Sequence, residues 1–377
     1  MASKSKLEIA QEKAEAAVKR TNEKIIVLGE YSGDLYSELS TIQLLFDRIR
    51  NVPEEKKLKY EKLKEIRLNW KKQAEKIELE YKKAEIKAAG QGAAGVGAGM
   101  AVAALGPTAA MGIATTFGVA STGTAIASLS GAAATNAALA WLGGGALAAG
   151  GGGMAAGNLF LAMAGPVGWA IAGVSIISSG LLFFKAKSDK ERLENIFTHI
   201  SNRDIKSYEL AIVELNERIK RIKNETVLLQ MAIEKIKTFG INYNEMTESQ
   251  QYELGSYVNL MESSTMLVVN PILGLMPKFT EEDFNKFCSQ NQSNIKVYDD
   301  NHFVIDYCKR HKPMVMSLAN LLYKIDLDER DRKLLAKSFR KNKEFLASID
   351  MKKSEFDAVD ISFVQNALKF KYSYSAY

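Results

Sequence analysis

Cysteine and histidine are the residue types in this chain that could bind a transition metal. The sequence has two cysteines and three histidines, and four of them lie in its C-terminal third: Cys288, His302, Cys308 and His311. Cys308 and His311 have the C-x-x-H spacing, but the other intervals match no common zinc pattern and no C-x-x-C pair is present. We therefore expect no metal site, and no cofactor is predicted.

Other motifs resemble sites of known chemistry but lack a part that the chemistry needs. Residues 90–95, GQGAAG, have the spacing of a dinucleotide-binding loop, but a Lys- and Glu-rich segment precedes them and no acidic residue follows nearby. Residues 326–331, DLDERD, begin like a calcium loop without the glycine at its sixth position. The sequence contains no G-x-S-x-G motif and no phosphate-binding loop. We therefore expect that the protein is not an enzyme.

The most unusual feature of the chain is a long uncharged segment. Residues 88–184 contain no Asp, Glu, Lys, Arg or His, although the whole chain has 50 Lys and Arg and 44 Asp and Glu. Such a run is several times the length of one bilayer crossing and is typical of a segment that enters a membrane. It is rich in Gly and Ala, so its insertion is only marginally favourable. Conditional insertion, permanent membrane spans and a buried Ala/Gly bundle are all compatible with it.

Four stretches of the uncharged segment are long enough to cross a bilayer as helices: 97–119, 122–142, 145–164 and 166–184. The first contains Pro107 and should kink there. The last has the strongest signal, because Trp169 and Lys185 lie where interface anchors belong. Lysines flank both edges of the segment, which predicts an even number of crossings, two or four.

Glycines at helical spacing are expected to let membrane helices approach closely. Together with aromatic residues of the last stretch, they form the predicted set for insertion and helix packing: Gly95, Gly99, Gly153, Gly157, Trp169, Gly173, Phe183 and Phe184.

Long helices are predicted on both sides of the uncharged segment. Residues 4–50 have apolar positions at the 3-4 spacing of a helix seam, Pro53 follows a break, and a second helix runs to about residue 88. A further helix is predicted from 185 to 240, with a break near Ser201 and Asn202. Its heptads predict a coiled-coil seam, with a core-facing stripe of a globular bundle as the alternative: Ile212, Leu215, Ile219, Ile222, Leu229 and Ile233.

These patterns predict an all-α fold in four parts. They are an N-terminal helical arm (1–87), the uncharged membrane region (88–184), a coiled-coil helix (185–240) and a small, mostly helical C-terminal module (241–377) that could bind a protein partner. A short strand is expected at 295–298. The order of long helices around an apolar region resembles the α-helical pore-forming toxins of the cytolysin and haemolysin BL type, over residues 1–240. It is also similar to the translocator proteins of secretion systems.

The resemblance implies a protein that oligomerises and permeabilises a bilayer. From the sequence we expect a membrane-inserting helical protein that permeabilises or depolarises a lipid bilayer as a homo-oligomer. The alternative is a non-catalytic, membrane-anchored coiled-coil scaffold. No nucleic-acid partner is expected, because the net charge is only +6 and the lysines alternate with glutamates. The N-terminal residues lack the apolar core of a signal peptide, so we expect synthesis in the cytosol, followed by membrane association or specialised export.

Overall fold

The fold of the described residues is all-α, as the sequence predicts. The computed structural model describes residues 5–90, 106–118, 186–294, 301–341, 346 and 351–374. This part of the chain has no β-strand, only an isolated bridge between Arg50 and Asn242. Its α-helices are α1 (Lys6–Arg48), α2 (Glu54–Gly90), α3 (Gly106–Phe117), α4 (Lys187–Ile236), α5 (Glu248–Val269), α6 (Glu281–Asn294), α7 (Asn301–Leu321), α8 (Glu329–Phe339) and α9 (Ala358–Tyr374). Two short 3-10 helices span Tyr243–Glu245 and Leu273–Leu275.

Helices α1 and α4 are the longest elements and pack along each other. They have 43 and 50 residues, which corresponds to about 65 and 75 Å at 1.5 Å per residue. A capping box starts α1, where the Ser5 hydroxyl accepts a hydrogen bond from the Glu8 amide. The apolar seam of α1 is buried along its length, at Ile25, Leu28, Leu35, Leu39, Ile42, Phe46 and Ile49.

The turn between α1 and α2 follows the predicted break. Asn51 has a φ of 59°, and Pro53 comes directly before the first residue of α2. The Arg50 amide donates to the Ile241 carbonyl oxygen at 2.8 Å, and the Tyr243 amide donates to the Arg50 carbonyl oxygen at 3.0 Å. These bonds attach the turn to the segment that joins α4 to α5.

Two hydrophobic clusters organise the described residues. The first is formed by α1 to α5 and extends to Leu275. The second begins at Phe279 and includes α6 to α9, and it also takes Leu7 from α1 and Leu193 to Ile200 from α4. The predicted C-terminal module, 241–377, therefore contributes α5 to the first cluster and only its later helices to the second.

Three details of the helices differ from the sequence expectation or lie outside it. Helix α4 continues through Ser201 and Asn202, so the predicted break is wrong. Ser201 and Asp204 are buried, so this part of α4 is packed against the rest of the fold. Helix α7 is kinked at His311, two residues before Pro313. The strand expected at 295–298 lies outside the described residues.

No helix in the described part is both long enough and apolar enough to cross a membrane.

Candidate functional site: the docked end of the uncharged segment

The residues predicted for membrane insertion lie outside the described part of the chain. This holds for all eight, from Gly95 to Phe184. Of the six seam residues predicted in α4, Leu215, Ile219, Ile222, Leu229 and Ile233 are buried, and Ile212 is half-buried. The seam lies against α1, in the first hydrophobic cluster.

Residues 106–118 of the uncharged segment are described, and most of them are buried. Helix α3, Gly106–Phe117, contacts α1, α2 and α5. The side chains of Ala109, Ala110, Ile113, Ala114 and Phe117 belong to the first hydrophobic cluster. Pro107 lies in the first turn of α3, where its missing amide hydrogen costs no helical hydrogen bond. The described helix begins at Gly106, and the residues before it, where the kink expected at Pro107 would show, lie outside the described part of the chain.

Glycines bring the backbones of α1 and α3 into direct contact. A Cβ atom built on Gly29 would lie 1.8 Å from the carbonyl oxygen of Thr108, and one built on Gly112 would lie 2.0 Å from that of Ile25. Neither position has room for any side chain. One turn further along α1, a Cβ atom on Gly33 would lie 3.1 Å from the sulfur of Met111. The same small-residue spacing lets helices pack closely inside membranes.

Hydroxyl groups support this contact within the buried interface. The Thr115 hydroxyl donates to the Ser32 hydroxyl at 3.0 Å, and both residues are fully buried. The Thr116 hydroxyl donates to the Gly112 carbonyl oxygen at 2.7 Å, one turn earlier in the same helix. The hydroxyl groups of Thr115 and Thr116 are therefore hydrogen-bonded without any charged residue.

The chain leaves α3 in a conformation that favours glycine. Gly118 has a φ of +70°, and a Cβ atom there would lie 2.4 Å from the carbonyl oxygen of Val269. The amide of Ile272 donates to the carbonyl oxygen of Thr116 at 2.7 Å. The C-terminal end of α3 is thereby attached to the end of α5.

A buried arginine joins the three helices that surround α3. Arg67 of α2 donates to the Gln43 amide oxygen of α1 at 2.7 Å and to the Thr265 hydroxyl of α5 at 3.3 Å. Burial lowers the pKa of Arg67 to about 10, against weaker opposing effects of Tyr36 and Asp47. The group remains charged at neutral pH, and its hydrogen bonds fix α1, α2 and α5 relative to one another.

A second buried charge lies on α4 between the two hydrophobic clusters. Asp204 is paired with Arg203 at 2.7 Å, and burial raises the pKa of Asp204 to about 6, partly offset by Arg203 and Lys278. Arg203 also donates to the carbonyl oxygens of Leu321 and Tyr323 at 2.9 and 2.6 Å. This pair connects α4 to the C-terminal end of α7.

The described residues contain no cluster of three or more His, Cys, Asp or Glu that could hold a metal ion. Cys288 and His311 are half-buried, and the side chains of His302 and Cys308 lie outside the described part. The set of four considered in the sequence is therefore not brought together by anything that the structure describes.

Sequence reasoning missed the contact between α1 and α3. Helix propensity counts Gly29 and Gly33 as weak positions of α1, whereas both face α3. A usable signal was present, because Gly29 and Gly33 are four residues apart, as are Thr108 and Gly112. Ser32, the polar member of the α1 seam, marks the same face through its bond to Thr115.

Comparisons with protein-family models, with curated proteins and with solved structures gave no match for this chain. Arguments about function therefore depend on its own residues and contacts.

Proposed function

We propose that this is a membrane-inserting helical protein, which holds part of its uncharged segment inside a helical bundle and releases it into a lipid bilayer. Inserted copies associate as a homo-oligomer and permeabilise or depolarise the membrane. The proposal is supported by the uncharged run of residues 88–184 and by the burial of its described part, α3. It assigns the chain no catalytic role.

The burial of α3 is the single observation that carries the proposal. Helix α3 has 12 residues, or about 18 Å, so it cannot span a bilayer core of about 30 Å by itself. Its contacts with the bundle are apolar side chains, close glycine approaches and one hydroxyl pair, Thr115 with Ser32, and this uncharged helix makes no ion pair. Such contacts can be exchanged for equivalent helix contacts within a membrane.

The architecture around α3 is consistent with release of the segment. Helices α1 and α4 pack on each other through their own apolar seams, so they can remain paired when α3 leaves. The resemblance to pore-forming toxins of the cytolysin and haemolysin BL type supports the same proposal. In it, the lysine-flanked ends of the segment stay on one side of the membrane, and the stretches between them cross it an even number of times.

The experiment is dye release from liposomes by protein purified without detergent. The proposal predicts that the protein stays in solution without liposomes and floats with them once they are added. It also predicts that the protein releases an encapsulated dye. A matched sample without protein gives the baseline leak. Protein that needs detergent from the start and never releases dye would instead support a membrane-anchored scaffold and contradict the proposal.

A further inference from the structure

A small apolar cavity lies at the end of the bundle where α1 ends and α2 begins. Its volume is about 100 Å³. Its lining comes from the end of α1, the start of α2, the first 3-10 helix and α5, and it includes Phe46, Ile49, Tyr60, Tyr243 and Val258. An apolar cavity of roughly 150 Å³ in another protein binds benzene. The smaller cavity here has room for the last few carbons of an alkyl chain.

A glycine in the middle of α5 leaves part of this space open. Gly255 lines the cavity, and a Cβ atom built on it would meet no atom within 4 Å. Glycine inside a helix costs roughly 0.5–1 kcal/mol relative to alanine. No contact of the described residues requires glycine here, in contrast to Gly29, Gly112 and Gly118, where neighbouring atoms would clash with a side chain.

A lysine at the cavity has no acidic partner among the described residues. Lys56 lines the cavity, donates to the Tyr243 hydroxyl at 2.6 Å and lies 5.2 Å from the centre of that ring. Lys59, also at the cavity, is paired with Glu262 at 2.8 Å and donates to Asn259 at 2.9 Å. The two lysines therefore differ, because only Lys56 has its positive charge available for an anion.

We propose that this cavity binds a fatty-acid carboxylate, with the end of its alkyl chain in the apolar space and its carboxylate on Lys56. The apolar walls of Phe46, Ile49 and Val258 contact the chain. Lys56 supplies the charge-assisted hydrogen bond, and the Tyr243 hydroxyl, which accepts from Lys56, donates to the same carboxylate. The cavity is separate from the α3 contact, so the proposal does not depend on membrane insertion.

The test is titration of the full-length protein with octanoate, measured by isothermal titration calorimetry. Octan-1-ol and octyltrimethylammonium provide the same chain with no charge and with the opposite charge. We expect saturable binding of one octanoate per chain and affinity at least about tenfold lower for both other probes, because they lack the charge-assisted bond. Equal binding of octan-1-ol would overturn the role of the carboxylate.

Variants separate the cavity from the apolar segment, which could also bind alkyl chains. Gly255→Leu should abolish octanoate binding by filling the cavity, whereas Gly255→Ala should bind octanoate and shows that helix α5 tolerates substitution. Lys56→Met should weaken binding about tenfold, and Lys57→Met, which removes an exposed charge paired with Glu61, should leave it unchanged. The proposal is overturned if octanoate does not saturate, if Gly255→Leu binds as well as wild type while folded by circular dichroism, or if the two lysine variants behave alike.

Discussion

Gly29 of α1 and Gly112 of α3 meet where the backbones of the two helices touch, and a Cβ atom on Gly29 would lie 2.8 Å from the amide nitrogen of Gly112. This contact holds the described helix of the uncharged segment, α3, against the bundle. Because backbone atoms form it, a small relaxation of side chains cannot accommodate a larger residue. Changes at either glycine should therefore alter both the stability of the bundle and the release of α3.

Gly29→Ala is predicted to loosen α3 from the bundle. The added methyl group would lie 1.8 Å from the Thr108 carbonyl oxygen, and overpacking of this kind costs about 1–3 kcal/mol. We expect faster proteolysis near residues 106–118 and dye release from liposomes at lower protein concentration than wild type. Limited proteolysis with mass spectrometry and a dye-release titration measure the two effects.

Gly255→Ala is the matched control, because it is the same substitution at a helical glycine with open space around it. It should leave proteolysis near α3 and dye release unchanged, and it should stabilise α5 by about 0.5–1 kcal/mol. If Gly29→Ala and Gly255→Ala had the same effects, the contact between α1 and α3 would have no special role.

The sequence predicts the buried faces of the long helices, because an apolar repeat of seven residues determines which side of a helix leaves water. In α1 this holds from Ile25 to Ile49, where every apolar position of the seam is buried and polar Ser32 between them is buried as well. The start of α2 follows from Pro53, since proline suits the beginning of a helix.

The partner of each buried face could not be predicted, because periodicity carries no information on what covers a helix. Gly29 illustrates this: helix propensity counts it as a weak position, whereas its contact with α3 depends on the absence of a side chain. Asp204 is a second case, because it is buried beside Arg203, whose bonds to the carbonyl oxygens of Leu321 and Tyr323 come from a part of the chain that is distant in sequence. The division of the hydrophobic clusters after Leu275 was equally hidden, because the apolar repeat of a helix does not say which cluster its buried face joins.

Asp204→Asn is predicted to change how stability depends on pH. The folded pKa of Asp204, about 6, lies above its ordinary value of 3.8, so the folded state binds the proton more tightly than the unfolded state. The contribution of Asp204 to stability is therefore fully present below about pH 4 and is lost as pH rises through 6. The asparagine variant should lack this loss, which amounts to roughly 2–3 kcal/mol between pH 4 and 7.

Urea denaturation at pH 4.5, 5.5 and 7 measures this effect as the difference between wild type and variant. Asp34→Asn is the control, because it makes the same substitution at a carboxylate that is exposed on α1. A wild-type minus Asp204→Asn difference that stays constant across the three pH values would show that burial does not raise the pKa of this carboxyl.

Gly173→Asp is predicted to abolish dye release. Residue 173 lies outside the described part of the chain, near the middle of the stretch 166–184 that the sequence favours for insertion. A charge at the centre of the hydrocarbon costs about 2.5–3.5 kcal/mol on insertion scales, and a Gly- and Ala-rich segment has little insertion free energy to offset it. Circular dichroism should show that α1 and α4 remain helical.

Leu228→Asp is a matched control for that variant. It introduces the same charge at an apolar side chain that is 49% exposed on α4, and it should release dye as wild type does. Dye release by Gly173→Asp equal to that of wild type would remove the stretch 166–184 from the proposed insertion element.

A reversible covalent lock between α1 and α3 tests the release of the uncharged segment directly. The hydroxyl oxygens of Ser32 and Thr115 lie 3.0 Å apart, so cysteines at these two positions can form a disulfide across the contact. The variant combines Ser32→Cys and Thr115→Cys with Cys288→Ala and Cys308→Ala, which prevents other pairings. Each single cysteine in the same background is the control.

The measurement is dye release from liposomes by the oxidised double-cysteine protein before and after addition of dithiothreitol. We predict no release above baseline while the disulfide is intact, and release equal to that of the single-cysteine controls once it is reduced. Release by the oxidised protein at the same rate as by the reduced protein would contradict the account, because α3 would then have no need to leave the bundle.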